Sequence, residues 1–294
     1  MFFLSGILVL FGLQGELNQY RLEIDPVLLD SLYANPYAHL LFPAFIETDA
    51  GACSCMAGFR GKSALHRPKK SWQFELNDIS MFGASHVLLD AQYLDLSAMR
   101  NALAMYLNRR MDRPVPLTEH VELFINNTYY GVYTQAERID EYFCARNNLG
   151  AGALFTPLNK AGRFVWQPSD IPGTNGFEPK RGGSEEFLPE LRQLIDAVNL
   201  FSPLSLDLDD YLAYTAVTLA AVDNDAMIIN YYLYLGSNGI WRIFPWDREF
   251  TVGISPTFSY DPGWIDDRHV SNTQRAALAA RLLAHSDHRD VFND

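Results

Sequence analysis

Residues 222–249, VDNDAMIINYYLYLGSNGIWRIFPWDRE, carry the pattern that decides the fold of this 294-residue chain. Two runs in it, residues 231–235 and 240–244, are rich in the aromatic and branched side chains that β-strands favour. The GSNG sequence at residues 236–239 supplies the turn between them, so the pattern predicts a β-hairpin. A helical pattern over residues 208–221 comes directly before it. A hairpin set among helices indicates an α+β protein.

Strand patterns dominate the chain further towards its N-terminus. They cover residues 44–48, a stretch ending at Phe59, residues 71–76, and a second hairpin that pairs residues 121–125 with 132–135 across an Asn-rich turn.

Helical patterns cover five segments of the chain. They follow Asp25-Pro26, span residues 97–111 with Ser97 as the N-cap, and recur at residues 185–199, 208–221 and 274–284. Strands therefore come mostly first and helices mostly last. The Gly- and Pro-rich segment 157–183 lies between them and is the expected boundary between two lobes.

Composition narrows the function classes. The formal net charge is -12, which argues against a nucleic-acid-binding protein, because such a protein needs excess cations to neutralise phosphates. Three cysteines are too few for a disulfide framework in a chain of this length. Cys53 and Cys55 are expected to be two small residues of a strand or a turn, and the alternative is one disulfide with Cys144 in a secreted chain.

The chain starts with an apolar run, MFFLSGILVLFGLQG, at residues 1–15. Its length suits the apolar part of a signal peptide and is too short to cross a bilayer. The alternatives are a buried first strand and a start codon placed too far downstream. No other segment reaches membrane-spanning length, so the sequence predicts a secreted or cell-surface protein without stable membrane insertion.

Positive charge is concentrated in RGKSALHRPKKSW, residues 60–72. The segment places five cations within eleven residues of an acidic chain, and it does not follow the phosphate-binding G-x-x-x-x-G-K pattern. Most of these cations are expected to be solvated. Lys70 is the exception, because it abuts a strand that would hold its ammonium at a fixed depth over phosphate groups.

Polar residues flank the hairpin that opened this section. Asp225 and Asn230 form D-x-x-x-x-N between a helix and a strand, and Asp247 follows the end of the second strand. Phosphoryl transfer needs a carboxylate to accept the proton of the attacking hydroxyl group and oxygen ligands to hold a metal ion. Each motif alone is weak, since D-x-x-x-x-N recurs by chance and an Asp at a strand end is often a surface residue.

Five motifs together resemble the CotH family of atypical protein kinases. They are RGKSALHRPKKSW at 60–72, MRN at 99–101, NNTYYGVYTQAERID at 126–140, DAMIINYYLY at 225–234 and FPWD at 244–247. The resemblance spans roughly residues 21–288. It implies an atypical kinase-like two-lobe fold, with a lobe of mostly β-sheet at about 20–140 and a mostly helical lobe at about 185–294 whose β-hairpin carries the metal ligands.

The resemblance also implies an activity and its residues. It implies transfer of the γ-phosphate of ATP to Ser or Thr of a protein substrate with Mg²⁺ or Mn²⁺, by one kinase domain over residues 16–294. The residues implied are Asp225 as catalytic acid/base, Lys70 on the phosphates, Arg60 and Glu137 in nucleotide binding, and Asn230 with Asp247 as metal ligands.

The chain departs from ordinary kinases in two places. Helix 97–111 has no Glu to pair with Lys70 and carries Arg100 and Asn101 instead, and no H-R-D sequence precedes Asp225. Two alternatives therefore stay open beside the kinase hypothesis. One is a non-catalytic coat or surface protein that kept the fold, and the other is transfer of AMP from ATP.

Overall fold

The computed structural model describes residues 16–158, 164, 176–200, 202–223, 226 and 229–252. The chain divides into two compact units. The first takes the chain up to Ala98 together with Leu117–Arg138, and the second takes Met99–Pro116 together with the chain from Ile139 onward. The chain therefore passes from one unit to the other three times.

The first unit is a closed barrel of seven strands in the order β1-β2-β3-β4-β5-β7-β6. Neighbours pair antiparallel except β1 and β6, which pair in parallel and close the barrel, with Asn18 opposite Val121. The strands are β1 Asn18–Ile24, β2 Phe42–Thr48, β3 Gly51–Arg60, β4 Ser71–Leu76, β5 His86–Asp90, β6 Thr118–Ile125 and β7 Thr128–Ala136.

Alternation along the strands builds the barrel interior. In β4 every second residue is buried, which places Trp72, Phe74 and Leu76 in the core. The rings of Phe59 and Trp72 meet edge to face with centroids 4.7 Å apart. Helix α1, Pro26–Ala34, connects β1 to β2 and begins as the sequence predicts, because the Asp25 side chain accepts a hydrogen bond from the Val27 amide at 2.7 Å.

The second unit contains a sheet and several helices. Its described elements are α2 Arg100–Arg110, α3 Glu141–Arg146, β8 Gly152–Pro157, β9 Phe177–Pro179, α4 Leu188–Leu200, α5 Leu208–Ala220, β10 Tyr231–Gly236 and β11 Trp241–Pro245. The four strands form an antiparallel sheet in the order β11-β10-β8-β9. Helix α5 packs against β11 and against helix α2.

The predicted kinase-like fold with a mostly helical C-terminal lobe is wrong. The described residues instead form a closed seven-stranded barrel and a second, four-stranded sheet, with five α-helices among them. The physical reason is that barrel closure depends on the pairing of β1 with β6, whose residues lie about a hundred positions apart in sequence. Periodicity reports local conformation and carries no information on such a pairing.

One helix boundary also differs from the prediction. Helix α2 starts at Arg100 rather than at Ser97, and Ser97 does not cap it. The Ser97 hydroxyl instead donates to the Asp95 carboxylate at 2.5 Å, while Met99 takes the N-cap position without a side-chain hydrogen bond.

Several predicted segments lie wholly or largely outside the described residues. They are the apolar start at 1–15, most of the Gly- and Pro-rich segment 157–183, and the helix at 274–284. The predicted domain and lobe bounds stay a prediction. In the part of the chain that the structure describes, no helix combines the length and apolar character needed to traverse a bilayer.

Candidate functional site

The two predicted metal ligands, Asn230 and Asp247, lie together in the second unit. Asn230 precedes β10 and Asp247 follows β11, and these strands pair with Tyr231 opposite Pro245. The Trp246 amide donates to the Asn230 carbonyl at 3.2 Å, which extends the pairing by one step. The Asn230 side-chain nitrogen Nδ2 then donates to the Asp247 carbonyl at 2.8 Å. The hairpin register therefore brings the two residues side by side.

This hydrogen bond orients the Asn230 side chain and restrains the Asp247 backbone. Because Nδ2 of Asn230 is the donor, the amide presents its oxygen Oδ1 as the other, accepting end. Asp247 has φ 45°, in the left-handed region that costs energy for a residue other than glycine. Such a conformation persists only where the surroundings impose it, and Asn230 supplies part of that restraint.

The residue after Asp247, Arg248, supplies the second part of the restraint on the Asp247 backbone. Arg248 is fully buried, and its Nε donates to Oδ2 of Asp223, whose side chain is 1% exposed. Nη2 of Arg248 donates to the Thr218 hydroxyl on α5 at 2.8 Å. Burial alone would lower the pKa of Arg248, but the Asp223 carboxylate and Tyr214 together outweigh it, so the pKa lies above its usual value. This ion pair ties the segment after β11 to the end of α5.

Helix α2 supplies the third part of this restraint through Asn101. Oδ1 of Asn101 accepts a hydrogen bond from the Arg248 backbone amide at 3.0 Å, and Asn101 is 2% exposed. The family motif at residues 99–101 therefore has a visible role, although the sequence showed only that Asn stands where a kinase would carry Glu. Further along, the Val252 amide donates to the Ala221 carbonyl at 2.6 Å.

Asp225, the first residue of D-x-x-x-x-N, lies outside the described residues, but Asp223 and Ala226 near it are described. Oδ1 of Asp223 accepts from the Ala226 amide at 3.0 Å, and Ala226 is fully buried. The Tyr214 hydroxyl donates to the Ala226 carbonyl at 2.5 Å. Burial raises the pKa of Tyr214 to about 12, which keeps its hydroxyl protonated as a donor.

Lys70 lies in the first unit, directly before β4. It is 8% exposed, and Nζ donates to the Leu65 carbonyl. Among the described residues this is its one hydrogen-bond acceptor, although an ammonium group has three N–H donors. Burial lowers the pKa of Lys70 below its usual value. A buried ammonium with one neutral acceptor is a suitable partner for an anionic oxygen.

Arg60 and Glu137 also lie in the first unit, and both have protein partners. Arg60 ends β3 and its guanidinium pairs with the Asp90 carboxylate. Glu137 is 3% exposed, and its Oε2 accepts from the Leu117 amide at 2.9 Å. Leu117 and Glu137 lie next to the points where the chain passes between units. The roles of Arg60 and Glu137 in nucleotide binding stay predictions.

Lys69 is not the solvated charge that the sequence predicts. Its Nζ donates to the carbonyls of Ala91 at 2.7 Å and Val132 at 2.5 Å, and it lies 4.2 Å from the centroid of the Tyr133 ring. Burial lowers its pKa to about 8. The sequence shows no sign of these contacts, because Ala91 directly follows β5 and Val132 lies in β7, both far from Lys69 along the chain.

The donor set fits Mg²⁺ or Mn²⁺. Both are hard cations that take oxygen ligands, and Mg²⁺ is commonly held by one or two carboxylates together with substrate phosphates and water. Asn230 and Asp247 supply such oxygens.

No cluster of three or more His, Cys, Asp or Glu side chains suited to a metal ion occurs in the described ranges. Cys53, Cys55 and Cys144 are free, buried thiols.

Comparison with known proteins identifies the class. The family model described as CotH kinase protein matches residues 57–294, so the chain belongs to the CotH family and the resemblance drawn from the five motifs is confirmed. The chain is 27% identical over 256 residues to inner spore coat protein H of Bacillus subtilis (strain 168), across 82% of this chain and 70% of that protein.

Proposed function

We propose that this protein is a metal-dependent phosphotransferase that moves the γ-phosphate of ATP to a Ser or Thr hydroxyl of a protein substrate. The observation that carries the proposal is the hydrogen bond from the Asn230 side chain to the Asp247 backbone carbonyl, which sets these two oxygen-bearing residues side by side. The description of the matching family, CotH kinase protein, points the same way. The proposal rests on the chemistry of these residues and does not require the fold of ordinary kinases.

Each residue has one role in the proposed reaction. Asn230 and Asp247 hold Mg²⁺ or Mn²⁺, which neutralises phosphate charge when bound. Lys70 donates to the phosphate oxygens with the N–H groups that Leu65 does not use. Asp225 accepts the proton of the substrate hydroxyl as its oxygen attacks the γ-phosphorus. The bond from that phosphorus to the ADP oxygen breaks, and ADP leaves with the negative charge.

The test uses ATP labelled at either end of its phosphate chain. The full chain is incubated with Mn²⁺ and with γ-labelled or α-labelled ATP, and label is sought on the protein itself and on casein. The proposal expects label from the γ-position, lost with EDTA and in Asp225→Asn. Label from the α-position would instead establish AMP transfer.

A second candidate function is a structural role in a spore coat or on a cell surface. The observation that favours it is the name of the relative, an inner spore coat protein. The same relative supports a coat or surface location for this chain under either function. Absence of label from both ATP forms, in a preparation that is folded and binds ATP with Mn²⁺, would favour the structural role.

A further inference from the structure

We infer that the buried Arg248–Asp223 ion pair, together with Asn101, is a positioning device that holds Asp247 in register with Asn230. The evidence for the restraint is the set of contacts within the second unit. The purpose that we assign to it, metal binding by Asn230 and Asp247, rests on the proposed function.

The contacts form a closed set around one short segment. Asp247 is held on one side by the Asn230 amide, and Arg248 is held on the other by three groups from three places in the sequence. Those groups are Asn101 of α2, Thr218 of α5 and the carboxylate of Asp223. The left-handed backbone at Asp247 lies between these two anchors.

The same ion pair reaches the loop that leads to Asn230. Asp223 uses Oδ2 for Arg248 and Oδ1 for the Ala226 amide, so a single carboxylate binds both segments. The Arg248 guanidinium lies 5.0 Å from the centroid of the Tyr214 ring, whose hydroxyl holds the Ala226 carbonyl. A movement of Arg248 would therefore act on both the Asp247 segment and the loop before Asn230.

The molecule contains a matched control, a second buried ion pair whose carboxylate lies on helix α5. Arg113 pairs with Asp210 of α5 at 3.0 Å with side chains 2% and 3% exposed, and its guanidinium lies 5.2 Å from the Tyr214 ring. Arg113 also donates to Oδ1 of Asn108 at 2.6 Å and to the Ile243 carbonyl at 2.5 Å. This pair is as buried as the first, and the hydrogen bonds of Arg113 go to residues outside 223–230 and 246–252.

The experiment compares two mild variants, Asn101→Ala and Asn108→Ala. Each removes one buried amide from α2 that accepts a hydrogen bond from an arginine, and neither leaves a buried charge unpaired. The measurements are the melting temperature, the amide hydrogen exchange of residues 246–252, and the dissociation constant for ATP with Mn²⁺. Asp223→Asn and Asp210→Asn repeat the comparison at higher cost to folding, since each leaves an arginine without its partner.

We expect both Ala variants to lower the melting temperature by similar amounts. Only Asn101→Ala should speed exchange at residues 246–252, by about tenfold or more, because only it releases the backbone of Arg248. Only Asn101→Ala should weaken binding of ATP with Mn²⁺, by about tenfold.

Each other outcome has a defined meaning. Unchanged exchange at residues 246–252 in Asn101→Ala, or equal changes in both variants, would overturn the positioning inference. If the wild-type protein binds no ATP with Mn²⁺, the proposed function fails, and the exchange comparison alone still decides whether the restraint exists.

Discussion

The basic segment of the barrel and the polar ends of the β10–β11 hairpin are held in opposite ways. In the barrel, protein groups accept hydrogen bonds from the cations: Asp90 pairs with Arg60, and backbone carbonyls bind Lys69 and Lys70. At the hairpin, protein donors bind the backbone beside the candidate metal ligand, because the Asn230 amide donates to the Asp247 carbonyl. The buried Arg248 next to it is itself held by acceptors.

The difference separates charges whose hydrogen-bonding capacity is largely used by protein groups from charges that keep part of that capacity. A cation with several protein acceptors, such as Lys69, contributes to folding and has few donors left for a phosphate. Lys70, with one carbonyl acceptor among the described residues, has two N–H groups to offer. At the hairpin the restraints act on the Asp247 backbone and on the Asn230 amide nitrogen, which leaves the Asn230 side-chain oxygen as the accepting end.

The largest expected effect separates reaction from binding within the second unit. Asp225→Asn should reduce phosphate transfer by about 10²-fold or more, because a general base is lost. It should leave binding of ATP with Mn²⁺ nearly intact. Asp247→Asn should weaken both binding and transfer, because a charged ligand of the cation is lost. Labelled transfer and calorimetric titration of each variant measure the two quantities.

Full activity in Asp225→Asn would contradict the D-x-x-x-x-N assignment. The sequence offers Asp223 as the next candidate base, but the structure argues against it, since both of its carboxylate oxygens are engaged by Arg248 and Ala226. A different carboxylate would then have to be sought.

The next effect compares neighbouring lysines of the barrel. Lys70→Ala should weaken ATP affinity by about tenfold or more, the effect of losing a charge-assisted hydrogen bond, while the protein stays folded. Lys69→Ala should instead lower the free energy of unfolding by about 1–3 kcal/mol, because two carbonyls lose their donor. Titration with ATP and urea unfolding of both variants test this split.

Lys62→Ala is the matched control, because Lys62 belongs to the same basic segment and is exposed. It should change neither ATP affinity nor the free energy of unfolding. Equal losses of affinity in all three variants would mean that the segment acts as a diffuse basic patch and that Lys70 has no special place.

The smallest expected effect is the contribution of Lys69 to the pH dependence of the free energy of unfolding. Its pKa of about 8 in the folded protein lies below the value of about 10.4 in an unfolded chain. Between those values the unfolded state binds more protons, so the free energy of unfolding should rise with pH in this window relative to Lys69→Met. Urea unfolding of both proteins from pH 7.5 to 10 measures the difference. A difference that falls with pH would show that the carbonyls and the Tyr133 ring favour the charged form more than burial disfavours it.

Much of the hairpin site follows from sequence. The hairpin from β10 to β11, its Gly-rich turn and the placement of Asn230 and Asp247 at its two ends all follow from residue types and spacing. Given a hairpin, antiparallel pairing must bring its two open ends together. Asn101 was visible only as a departure from the kinase pattern, and nothing local indicated that it would accept the Arg248 amide.

The sequence by itself determined many of the elements, the two hairpins and helix α1 among them, because strand alternation, N-caps such as Asp25 and hairpin turns depend on neighbouring residues. Tertiary structure alone decided that β1 meets β6 to close a barrel, that Lys69 is anchored, and that Arg248 is buried against Asp223. These depend on segments far apart in sequence. Charged residues are expected at the surface, and only the packed structure supplies the acceptors that allow a charge to be buried.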